Sequence, residues 1–123
     1  PQTAFGEVEE VLKKHDLIFA YVFGSRARGG RGGDIDVAVY AGRPLKWREL
    51  VKLAHELEDS LGTAVDVVDL YDVPPLLAYE VVSKGVVVLD RDRERRVEFE
   101  VKVLKEFLDL RPRLERYYRD LLS

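Results

Sequence analysis

Apolar residues change their spacing several times along the chain, and each change marks an element. From Ala4 to Lys14, the residues Phe5, Val8, Val11 and Leu12 fall three and four apart, the stripe of an amphipathic helix. The run LIFAYVF, Leu17 to Phe23, is continuous, β-branched and aromatic, which predicts a strand covered on both faces. In DIDVAVY, Asp34 to Tyr40, the period drops to two: Ile35, Val37 and Val39 share one face, while Asp34, Asp36, Ala38 and Tyr40 share the other. Helical spacing returns between Pro44 and Leu61 through Trp47, Leu50, Val51, Ala54, Leu57 and Leu61, with Gly62 as a C-terminal stop. AVDVVDL, Ala64 to Leu70, reads as a third strand. PPLLAYEVVSKG, Pro74 to Gly85, reads as a short helix opened by proline and closed by glycine, and VVVLD, Val86 to Asp90, as a fourth strand. From Arg91 onward, Arg, Glu, Lys and Leu dominate, which predicts helix with a break or kink near Pro112.

Helix, strand, loop, strand, helix, strand, helix, strand, helix is an α/β (α+β) layout around one sheet. The loop Gly24 to Gly33 is too short for the crossover helix of a parallel pair, so the first two strands are expected to be antiparallel or mixed in direction, which disfavours a doubly wound dinucleotide fold. A length of 123 residues fits one domain, 1–123, with a core that needs no staples.

Composition narrows the chemistry. Without cysteine there is no disulfide framework and no Cys-type zinc site, and His15 and His55 stand far apart as ordinary polar positions of helical stretches. Any metal is therefore expected on oxygen ligands. A net charge of −3, from 20 basic and 23 acidic residues, argues against direct nucleic-acid binding. No apolar run approaches the roughly 20 residues of a membrane span, and no basic-then-apolar leader opens the chain, so the expectation is a soluble, cytoplasmic protein with no membrane partner.

The stretch FGSRARGGRGGDIDVAVY, Phe23 to Tyr40, concentrates the candidate chemistry. Residues two apart on a strand share a face, so Asp34 and Asp36 present two neighbouring carboxylates. Such a pair repels unless a cation neutralises it, and a hard divalent ion such as Mg2+ suits oxygen ligands. Magnesium in turn invites phosphate. Gly24 permits close backbone approach, Ser25 offers a hydroxyl and an N–H at a strand end, and Arg26, Arg28 and Arg31 add forked donors for phosphate oxygens. A nucleoside triphosphate bridging this loop and two metal ions would use both halves of the stretch. A third carboxylate would complete a two-metal site, and VDVVDL supplies Asp66 and Asp69, which face opposite sides of a strand; spacing does not choose between them.

Two other motif readings fail on the letters. A P-loop needs Lys and Ser/Thr after its second glycine, whereas Gly30 and Arg31 follow Gly29. An EF-hand loop needs further oxygen ligands and a glycine soon after Asp36, whereas Val37, Ala38 and Val39 follow.

With Gly24 and Ser25 closing one strand and Asp34 and Asp36 opening the next, the chain resembles the nucleotidyltransferases of the polymerase β superfamily, and within it the minimal nucleotidyltransferase group that includes MntA-type antitoxins. VDVVDL, SKGVVVLD and the closing FLDLRPRLERYYRDLL extend the resemblance over most of the chain. The resemblance implies that Asp34, Asp36 and Asp66 hold two Mg2+ ions, with Asp66 also helping to deprotonate the acceptor, and that Gly24, Ser25, Arg26 and Arg28 grip the triphosphate. It implies transfer of AMP from ATP, with loss of pyrophosphate, to a tyrosine of a HEPN-family toxin. The chain departs from the pattern in a loop, Arg26 to Gly33, that is about two residues short, and in Gly33, where the family carries serine.

A chain of this size holds a nucleotide pocket but not a second domain for an acceptor, so the acceptor is expected on a partner protein. Leu104, Phe107, Leu108, Leu114, Tyr117, Tyr118 and Leu121, among many arginines, could dock that partner, form a homodimer, or simply cover the sheet. The rival reading is a binding module of the same fold that neutralises a partner by contact, without turnover.

Overall fold

The computed structural model describes residues 4–24 and 34–123. Along the chain run helix α1 (Ala4–Leu12), strands β1 (Phe19–Phe23) and β2 (Ile35–Tyr40), helix α2 (Trp47–Leu61), strand β3 (Val65–Asp69), a 3-10 turn (Leu70–Asp72), helix α3 (Pro75–Lys84), strand β4 (Val86–Asp90) and helix α4 (Arg93–Leu122). The strands form one mixed sheet in the order β3-β2-β1-β4. β1 lies antiparallel to both β2 and β4, and β2 runs parallel to β3. The expected α/β class and the antiparallel pairing of the first two strands are both present.

Alternation sorts the side chains onto two cores. Ala20 and Val22 of β1, with Ile35, Val37 and Val39 of β2, pack beneath Val8, Val11 and Leu12 of α1 and Leu53 and Leu57 of α2. Phe19, Tyr21 and Phe23, with Ala38, face the other way, toward Val81 and Leu77 of α3 and Phe99 of α4. Every residue of β1 is buried, as its unbroken apolar run demands. α2 closes where Gly62 takes the left-handed conformation, φ 72°, and its N–H bonds the Glu58 carbonyl at 2.8 Å.

Two expectations need correction. α4 runs unbroken through Pro112. The expected break is therefore absent: proline removes the N–H that would reach the Leu108 carbonyl and its ring crowds that carbonyl, but Leu108 is 60 % exposed, so water can satisfy the carbonyl and the helix continues. His15 lies just past α1 rather than within a helix, and its Nε2 meets Glu56 Oε1 of α2 at 2.8 Å, joining the two helices that cover this face. No helix among the described residues is long and apolar enough to cross a membrane.

Candidate functional site

The site is built from strand register. Phe23, the last residue of β1, pairs with Asp36 near the start of β2, and Asp36 in turn pairs with Asp66 of β3 in the parallel register. Adjacent strands lie about 4.8 Å apart, and register partners present side chains on one face, so Asp36 and Asp66 are neighbours on the face covered by α3 and α4. Asp34, two residues before Asp36, leads into the same corner and is exposed. Gly24 follows Phe23 directly, with φ 78°, and a Cβ at this position would overlap Asp36 Oδ2. Only glycine lets the chain turn away from β1 against that carboxylate.

The electrostatics agree with this crowding. Asp36 is held above the ordinary carboxylate range, first by burial, then by the charge of Asp66, then by that of Asp34. No ion pair reaches Asp34, Asp36 or Asp66 among the described residues. The three are near enough to feel one another, yet no group of three or more Asp, Glu, His or Cys converges into a finished metal site among the described residues. A half-buried carboxylate whose proton affinity is raised by burial and by two like charges is a donor that a hard divalent cation relieves, so the residues fit Mg2+ with its remaining ligands supplied by water and phosphate.

Asp69 does something different. Its Oδ2 accepts the Leu45 N–H at 2.8 Å and its Oδ1 accepts the Tyr71 N–H at 3.0 Å. Both oxygens are engaged in holding the entry to α2 and the 3-10 turn, and its register partner is Val39 rather than Asp36. Geometry thus separates the two aspartates that spacing left equivalent. Ser25, Arg26 and Arg28, expected at the triphosphate, lie outside the described residues, as does Arg31.

Sequence reasoning missed a second polar cluster beneath α4. Tyr21, 1 % exposed, donates its hydroxyl to Glu100 Oε2 at 2.6 Å. Arg96 spans Glu100 and Asp90 with two bonds of 2.9 Å. Burial, followed by Glu100, pushes the Tyr21 hydroxyl far above its usual range, so it remains a donor. A tyrosine within an apolar strand was the available signal, but its partner lies 79 residues away. A cavity of about 530 Å3 also opens at the far end of β2, lined by Tyr40, Tyr71, Phe99, Arg95 and Lys102 among others, and includes none of the candidate carboxylates.

A mixed sheet whose first strand ends at a left-handed glycine, with carboxylates from two adjoining strands brought to one corner, is the arrangement expected of a nucleotidyltransferase. The Polymerase beta, Nucleotidyltransferase family model matches residues 6–94, and the chain belongs to that family. A Methanocaldococcus jannaschii protein named as a protein adenylyltransferase is 38 % identical over 81 residues, covering 64 % of this chain and 87 % of the relative. Among solved structures, a chain from a toxin-antitoxin complex with AMP-PNP superimposes with a TM-score of 0.83 at 27 % identity, covering 97 % of this chain and 98 % of that one. A chain from a tri-AMPylated Shewanella oneidensis HEPN toxin in complex with an MNT antitoxin superimposes at 0.81 with 25 % identity, covering 98 % and 97 %. The resemblance to the minimal nucleotidyltransferase group is borne out, and so is the polymerase β-like fold.

Proposed function

We propose that this chain is a Mg2+-dependent protein adenylyltransferase that transfers AMP from ATP to a hydroxyl, most simply a tyrosine, of a partner toxin of the HEPN class, and acts as its antitoxin in the cytoplasm. The observation that carries the reading is the corner where Gly24 turns against Asp36 while Asp66 and Asp34 raise its proton affinity. Such a corner is costly to maintain in a fold and is relieved by the ligands this reaction brings.

In this reading Asp34, Asp36 and Asp66 hold the cation, and Gly24 with Ser25, Arg26 and Arg28 positions the triphosphate. Bound Mg2+ supplies charge neutralisation at the α-phosphate and at the departing pyrophosphate. Asp66, exposed at the edge of the cluster, takes the proton of the acceptor hydroxyl; the hydroxyl oxygen forms a bond to the α-phosphorus as the bond from that phosphorus to the bridging oxygen breaks, and pyrophosphate leaves with the electron pair. The rest is positioning. Names of relatives support the substrate class: one is called a protein adenylyltransferase, and a structural neighbour contains an AMPylated toxin.

The test is titration calorimetry of ATP into the protein with Mg2+, repeated on Asp34→Asn/Asp36→Asn, followed by transfer of labelled AMP to the toxin. Micromolar, metal-dependent binding that vanishes in the double variant, together with labelled toxin, is the expected result. Toxin neutralised equally well by the double variant would instead make the chain a contact-only binding module.

A further inference from the structure

α4 is longer than its own domain requires. Its 30 residues extend about 45 Å. Phe99 packs against the sheet, Val103 is buried and Phe107 stacks on Tyr79 with ring centroids 3.7 Å apart. Beyond residue 114 every position is exposed, and Tyr117, Tyr118, Leu121 and Leu122 are 57 % to 83 % exposed. A helical stretch of this length without tertiary cover is marginal in water. The family match ends at Glu94, in the first turn of this helix.

A second apolar stripe follows the side of α4 turned away from the sheet. Val97, Val101, Leu104, Leu108, Tyr118 and Leu122 recur at alternating steps of four and three, the spacing of a coiled-coil seam, and all are at least 41 % exposed. Arg111 and Glu115 fill the two remaining seam positions, and they pair with each other at 2.8 Å within the helix. Their neutralised heads leave the aliphatic stems to cover apolar neighbours.

We propose that this stripe is the seam of an antiparallel, two-fold symmetric homodimer. Laid antiparallel over its full length against a second copy, the helix places Val97 opposite Leu122 of the second copy, Val101 opposite Tyr118, Leu104 opposite Glu115 and Leu108 opposite Arg111. The uncovered tail of each copy then lies on the outward face of the other's sheet-bound half. In the same register Glu98 faces Arg119 of the second copy, twice by symmetry, and neither has an ion pair among the described residues. The opposite flank brings Phe107 against Leu114 and Glu100 against Leu121 of the second copy. A parallel, in-register arrangement would set Arg111 against Arg111 and Glu115 against Glu115 inside the seam, which disfavours it. This assembly is independent of the nucleotide site.

Size-exclusion chromatography with light scattering on the full chain tests it. Wild type should be a dimer at micromolar concentration, and Leu104→Asp/Leu108→Asp a monomer with an unchanged far-UV spectrum. Glu98→Arg and Arg119→Glu should each weaken dimerisation about tenfold, and the double swap should restore it. A wild-type monomer at hundred-micromolar concentration overturns the proposal, as does a double swap no better than the singles. A monomer whose Leu104→Asp/Leu108→Asp variant no longer co-elutes with a partner toxin overturns it too, assigning the face to that protein. Nucleotide titration on the same samples reads the active site separately.

Discussion

Two polar clusters share the α3/α4 face of the sheet and are opposites in how their charges are settled. Near one end, Asp34, Asp36 and Asp66 crowd together, and Asp36 is forced toward its neutral form by burial and by its neighbours. Beneath α4, Tyr21, Glu100, Arg96 and Asp90 form a closed chain in which each charge meets its complement within 2.9 Å. Folding alone would favour the second kind of arrangement everywhere, because unpaired like charges cost stability. The first kind is expected to persist where a ligand completes it, and this contrast supports the proposal that the carboxylate cluster serves chemistry while the paired cluster serves architecture.

The largest expected effect breaks the carboxylate end. Asp36→Asn or Asp66→Asn should lower AMP transfer by about a thousandfold or more, since in the proposed reaction each supplies charge to the metal-bound triphosphate, while urea midpoints stay level or rise. Asp69→Ala should reverse the pattern, leaving transfer within a fewfold of wild type and costing about 1–2 kcal/mol, because the N–H groups of Leu45 and Tyr71 lose their acceptor. Activity retained in Asp66→Asn and lost in Asp69→Ala would exchange their roles.

Next in size is a break in the paired cluster. Arg96→Met keeps much of the stem but strands Asp90 and Glu100. With the three side chains 17 % to 26 % exposed, solvent screens part of the loss, and about 1–2 kcal/mol of destabilisation is expected in urea unfolding. ATP affinity should remain near wild type. Loss of nucleotide binding without loss of stability would show that the cluster serves the site after all.

The same contrast explains what was legible in the letters. β1 and the Asp34–Asp36 pair were readable because burial on two faces forces a continuous apolar run and strand period forces two aspartates onto one side. Choosing Asp66 over Asp69 required the parallel register with β2, which no local pattern encodes. The Tyr21–Glu100 bond joins residues 79 apart, beyond any spacing rule. Pro112 does not break the helix because the carbonyl it frees belongs to an exposed turn that water can serve, which no local pattern shows.

The smallest effect is the most diagnostic of unrelieved repulsion. Asp36 has a raised proton affinity in the fold relative to its ordinary value of 3.8, so between that value and the raised one the folded chain binds more protons than the unfolded chain. Stability must then fall as pH rises through this interval, and at neutral pH the full deficit remains. Asp36→Asn removes the titrating group and should melt a few degrees above metal-free wild type at pH 7, with the gap narrowing as pH falls toward 4. Adding Mg2+ should raise the wild-type melting temperature and leave the variant nearly unmoved, closing or inverting the gap. A metal-free wild type already more stable than the variant at pH 7 would mean that a protein cation neutralises Asp36 before any ligand arrives, and the site would then be prepaired rather than poised for metal.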